Sequence, residues 1–326
     1  MSFDLSTLSI WREERLAPLI FKPFELDQSF DYFEKVTGVA GQDVRLPIVE
    51  TSPIIAFTDG CGFSQNATTA IKQVSINAPS QKVEAGYCLK SLKKYFTKQW
   101  LPDNTENPDT FTVLDTIVSD LLQKTARRNS MIMWIGDTSV APYPTDFKAY
   151  NGILKQVISN IPAQQQNTLP SGQTITTTNV ISVFDAVIAS LPSSVLTQRP
   201  VLFCGTDVFR ILVLALREKN YYHYQYDITS NPDTFTLKPL VYPGTNVVVV
   251  PTLGLNSDNV GSQPLQYKQR IIATYQGNII LGFNVSLDEV DIWYSQDADE
   301  VRVRYAYNCG VAAKFPELIS EFHLTP

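Results

Sequence analysis

Residues 43–88 hold long β-prone runs around a turn-rich segment, with no local core to receive them. Val44–Val49 and Ile54–Phe57 precede TDGCGFSQNATT, and Ile71–Ile76 and Val83–Tyr87 follow it. Asp59-Gly60 between apolar runs is a hairpin signal. A two-stranded hairpin is marginal in water by itself. Its apolar face therefore needs another surface. Residues 1–36 pose the same problem. Trp11, Phe21, Phe24, Phe30, Tyr32 and Phe33 are scattered along an arm broken by Pro18 and Pro23. Such side chains need burial on the body of the chain or on a neighbour.

The rest of the chain supplies a body. Residues 86–100 read as an amphipathic helix, with Leu89, Leu92, Phe96 and Trp100 on one face. Lys90, Lys94 and Lys98 repeat on another face, widened by Lys93. A solvated face, an acidic neighbour and phosphate are all open readings of it. Leu114, Ile117, Val118, Leu121 and Leu122 give the spacing of a long helix over 109–130, about 30 Å at ~1.5 Å per residue. Asp109 or Thr112 is expected to cap it, with Lys124, Arg127 and Arg128 at its C-terminal end. A strand, MIMWI (131–135), is expected next. FKAYNGILKQVI (147–158) reads as helix or turn around Gly152. The polar stretch 164–179 is the expected domain crossing.

From residue 180 helices and strands alternate. Helices are expected at 180–191 and 206–219, and strands at 200–204, 235–241 and 247–250. TLGLNSDNVGSQP (252–264) reads as a loop. The end is β-rich. Arg270–Tyr275 and Asn278–Phe283 flank Gln276-Gly277, an expected hairpin. Val290–Tyr294 and Val301–Tyr307 flank a second polar turn. Val301, Val303, Tyr305 and Tyr307 alternate with Arg302, Arg304 and Ala306, as in a half-buried strand.

Chemistry is sparse. Of 326 residues only two are His and four are Cys, so one chain cannot build a multi-histidine metal site. Cys61, Cys88, Cys204 and Cys309 lie far apart and read as free thiols. No nucleophile elbow or phosphate-binding loop is present. Gly60-Cys61-Gly62 falls on the hairpin tip and lacks the third glycine of a dinucleotide loop. Asp297-Ala298-Asp299-Glu300 lacks the calcium-loop pattern. His223, among tyrosines, and Cys204, in an apolar strand, read as structural. Glu13-Glu14 and Asp288-Glu289 read as solvated surface, and the sequons at Asn66 and Asn284 as chance. No catalytic residue, metal ligand or cofactor-binding residue is assigned. The net charge of −6 argues against coating phosphate as the main task. No apolar run reaches the ~20 residues that span a bilayer.

The order of these elements resembles the major capsid protein of tailed double-stranded DNA phages. TFTVLDTIVSDLLQKTARRN resembles that family's spine helix, and CGTDVFRILVLAL its axial strand-to-helix step. VVVVPTLGLN resembles the later axial strand and loop. NIILGFNVSLDEVDIWYSQDADEVRVRYAYNCGVAAKFPELI resembles the return to the peripheral domain. The resemblance implies an α+β fold with an N-terminal arm (1–36) and an extended loop (37–88). It implies a peripheral domain (89–179 and 284–326) with its spine helix at about 109–130, and an axial domain (180–283). It implies a non-enzymatic shell subunit that forms hexamers and pentamers of an icosahedral head. The implied partners are other copies, portal, scaffold and decoration proteins, and packaged double-stranded DNA contacted non-specifically, with no membrane and no cofactor. The expected location is the virion, after assembly in the host cytoplasm. With the arm starting near Met1, a separate scaffold or none is expected. The Lys-to-Asn cross-links of some relatives cannot be matched to positions here. A nanocompartment shell and a soluble α/β enzyme or binding protein using 180–283 are the alternatives.

Overall fold

The computed structural model describes residues 27–39, 41–53, 67–88, 110–139, 145–219, 239–256, 268–284, 290–295, 297–298 and 300–325. The arm before residue 27, the tip 54–66, the basic segment 89–100, His223, the expected strand residues 235–238, the loop from 257, and the acid pairs Glu13-Glu14 and Asp288-Glu289 lie outside them. In chain order the strands are β1 (Glu34–Thr37), β2 (Gly41–Pro53), β3 (Ala67–Ala78), β4 (Ser80–Cys88), β5 (Gln166–Leu169), β6 (Pro200–Gly205) and β7 (Leu240–Val241). They continue as β8 (Val248–Thr252), β9 (Ile271–Tyr275), β10 (Ile279–Asn284), β11 (Val290–Ser295), β12 (Glu300–Ala313) and β13 (Ser320–Leu324). The helices are α1 (Thr110–Ile135), α2 (Ile153–Val157), α3 (Val180–Ala189), α4 (Ser193–Leu196) and α5 (Thr206–Glu218).

The strands form two sheets and a separate hairpin. In the first sheet, β11 and then β10 run along one edge of β12, and β4 takes the other edge. β1 lies parallel to β10 at the margin. The second sheet has the order β5-β13-β9-β6-β8-β7. The expected alternation along β12 holds: Val301, Val303, Tyr305 and Tyr307 are buried, while Arg304 is exposed. A central core packs α1 and α2 among the inner residues of both sheets. A second core packs α3 and α5 on the other face of the second sheet.

Several expectations are corrected. MIMWI is not a strand; it is the C-terminal end of α1, which runs unbroken to Ile135. Ile132, Met133, Trp134 and Ile135 are all buried, so the last turns are apolar all round. A short buried run carries no period that separates helix from strand. Lys124, Arg127 and Arg128 thus lie inside the helix, and Thr112 lies within it instead of capping it. Arg128 instead stands 4.4 Å over the Phe147 ring.

Gln276-Gly277 does not close a hairpin. β9 joins the second sheet and β10 the first. Both edges of β9 are filled by β13 and β6, and both edges of β10 by β1 and β12. The turn amides donate outward, Gln276 to Arg199 O at 2.9 Å and Gly277 to Tyr32 O at 3.0 Å. Gly277 has φ +88°, the left-handed region that glycine enters without strain.

Residues 86–88 are strand, as the end of β4, where helix was expected. The polar crossing also contributes β5, parallel to the C-terminal strand β13. Residues 320–324 therefore hydrogen-bond within the second sheet, although the sequence reading groups 284–326 with the first.

Candidate functional site

Cys204 and Cys309 are fully buried, which pushes the Cys204 thiol well up and the Cys309 thiol up to about 12. A thiol held that high is not a nucleophile at neutral pH. Tyr150, whose hydroxyl lies 3.6 Å from Cys309 Sγ, is raised well above the usual phenol range by burial. His323 Nδ1 lies 3.4 Å from Glu321 Oε1, but the other Glu321 oxygen accepts from Arg270. Among the described residues no group of three His, Cys, Asp or Glu is placed to hold a metal. The tip glycines lie outside them. What the described residues offer is surface and junction.

The first surface is the hairpin. β2 and β3 pair from Val44↔Ile76 to Pro53↔Ala67. At ~3.3 Å per residue the pair is about 43 Å long. Its base is packed: Ile76 and Ala78 are buried with Val39, Ile280 and Ala312, flanked by Val44, Leu46 and Val74. Next to Val74 on β3, Gln73, Lys72 and Ile71 are exposed, Ile71 at 70%. An ion pair, Lys72 to Glu317 at 3.9 Å, links this outer part to the body. An apolar residue so exposed on an unpacked strand calls for a partner.

The second surface is the outer face of β4, β12 and β11. Trp293, 40% exposed, stands opposite Arg302, with Gly86 beyond it. Arg302 Nε donates to Glu300 Oε1 at 2.7 Å. Arg304 lies between Asp291 and Glu84 in the register, its Nε 3.7 Å from Glu84. The alternation of β12, carried across its register to β11, places Trp293 on this face beside Arg302.

The junction has no sequence signal. Asp27 is buried, and its two oxygens take donors from distant segments. Oδ1 accepts from Ser29 N at 3.0 Å. Oδ2 accepts from Thr252 Oγ1 at 2.8 Å, from Leu253 N at 3.3 Å and from Ser130 Oγ. Next to it, the rings of Phe33, Trp134 and Phe203 meet with centroids 5.2–5.8 Å apart. The end of the arm, α1 and the second sheet therefore join at one place.

No protein-family model and no curated protein matches the chain. Solved structures do. The Satellite phage P4 procapsid including size determination (Sid) protein matches at 11% identity with a TM-score of 0.57, covering 98% of this chain and 97% of that one. A structure from Mycobacterium phage Bobi matches at 9% identity and TM-score 0.55, covering 92% and 91%. The chain has the fold of the tailed-phage major capsid protein. The capsid of an empty GTA particle is a further likeness at 11% identity and TM-score 0.55, covering 91% and 89%. The match spans nearly the whole length of each chain.

Proposed function

We propose that this chain is the shell subunit of an icosahedral phage-type head, a structural protein without enzymatic activity. The observation that carries the reading is the hairpin. It spends more than twenty residues on a pair of strands whose base is packed and whose Ile71 is 70% exposed, beside a likeness to capsid shells over nearly the full length. On this reading the arm (1–36) and the loop (37–88) reach neighbouring subunits. The peripheral domain carries α1 and the first sheet, and the axial domain is the 180–283 segment less β10 and with β5 and β13 added, meeting its copies at the five- and six-fold axes. The partners are other copies of the chain, a portal and a scaffold, decoration proteins, and packaged double-stranded DNA touched without sequence preference. A net charge of −6 suits a container that must release its DNA. The location is the virion shell, after assembly in the host cytoplasm.

The test is to express the whole chain and follow it by light scattering and negative-stain microscopy. Capsomers or closed shells are expected. A strictly monomeric particle across salt and protein concentration overturns the reading. Co-purified head and tail components, as against an enclosed enzyme, separate a phage head from a nanocompartment.

A further inference from the structure

α5 lies over β6 and β8 on the second sheet. Val208, Phe209, Leu212, Ala215 and Leu216 bury its inner side. β6 shows the order of the layers: Leu202 and Cys204 point into this helical core, while Val201 and Phe203 point into the central one. The other side of α5 faces solvent in the single chain. Arg210, Leu214, Arg217 and Glu218 are exposed there, Leu214 at 47%.

Arg210, Leu214 and Glu218 follow one another at four-residue spacing, so they form one ridge along the helix. Arg217 lies off that ridge. Opposite charges one turn apart can meet, as Asp120 and Lys124 of α1 do at 2.7 Å. Arg210 and Glu218 are two turns apart, about 12 Å at ~1.5 Å per residue, too far to pair with each other. Among the described residues neither has another ion-pair partner. The ridge therefore reads positive, apolar, negative along the chain, with an exposed leucine at its centre. Turned over about a two-fold axis through Leu214, it meets its own complement. Leu214 then faces Leu214 of the second copy, and Arg210 of each copy faces Glu218 of the other. An isologous contact has this property, because the same patch serves on both sides. Ridges of four-residue spacing interdigitate at a crossing of about −50°, which spreads the helix ends and leaves the long Arg and Glu side chains room to reach across.

We infer that the Arg210–Leu214–Glu218 ridge of α5 binds the same ridge of a second copy, antiparallel, in a two-fold contact. The pairing stands apart from the shell reading, since it needs two copies and no closed particle. One apolar contact between two exposed charge pairs is small and sensitive to salt.

The test is sedimentation velocity of the whole chain over a range of concentrations below those at which particles form. A reversible monomer–dimer equilibrium that weakens with salt is expected. Arg210→Glu alone and Glu218→Arg alone should each weaken it by about tenfold or more, because like charges then face each other at both ends. Mixing the two single variants should bring association back, since every contact between them joins opposite charges. The chain carrying both changes should recover in the same way. A wild-type chain that stays monomeric, or single variants that pair as the wild type does, overturns the inference. Loss in both single variants without recovery on mixing overturns it as well, because the changes would then act on the fold of each chain and not between copies.

Discussion

Arg270 and Glu321 are 2% and 1% exposed and face each other inside the second sheet. Two charges out of water gain little over an apolar pair, but removing one partner leaves the other buried alone. Glu321→Gln should therefore destabilise the chain by about 3 kcal/mol or more. Urea unfolding measures it, and the paired change Arg270→Met with Glu321→Leu should recover most of the loss. Buried acids of another kind give a pH dependence. Burial raises the Cys309 thiol from its ordinary 9.0 up to about 12, and raises Cys204, Tyr150, Tyr305 and Tyr307 as well. The folded chain keeps these protons after the unfolded chain has released them. The stabilisation is complete below pH 9 and is lost as the pH climbs towards 12. Melting temperature against pH should stay flat towards pH 9 and then fall, less steeply in Cys309→Ala.

At the scale of the element, β12 carries the first sheet. Its half-buried half was legible as alternation. Its second half was not, because from Tyr307 to Ala312 it is buried on both faces. Gly310 shows why. A Cβ there would collide with the Asn77 carbonyl, so the base of the hairpin crosses directly over the strand. Gly310→Ala should cost about 1–3 kcal/mol, the range for overpacking a filled site. The loss should appear as faster amide exchange at Ile76 and Ala78. The reading of MIMWI as a strand failed for the same reason as the second half of β12: full burial erases the period. The expected hairpin at Gln276-Gly277 failed differently. Its turn residues were read correctly as a turn, but strands from elsewhere in the chain had filled both edges.

For the whole molecule, the proposed shell role predicts that fold stability and assembly draw on different residues. Ile71 contributes almost nothing to the single chain, being 70% exposed. Ile71→Asp should leave chemical unfolding unchanged within about 0.5 kcal/mol. The same variant should abolish or sharply weaken particle formation in light scattering. Equal loss of both would place Ile71 in the chain's own core and contradict the hairpin's proposed role.

The sequence by itself determined the elements whose two faces meet different solvents. The period of α1, the alternation of β12 and the long β-prone runs of β2 and β3 record which side is wet. It also determined that the hairpin lacks a core of its own, and the order of elements carried the capsid resemblance. Only the tertiary structure decided which strands share a sheet, since pairing depends on which edges remain open. It alone brought Asp27, Ser130 and Thr252 together. A buried hydrogen-bonded carboxylate leaves no periodic trace, because its partners are set by contact in space and not by spacing along the chain.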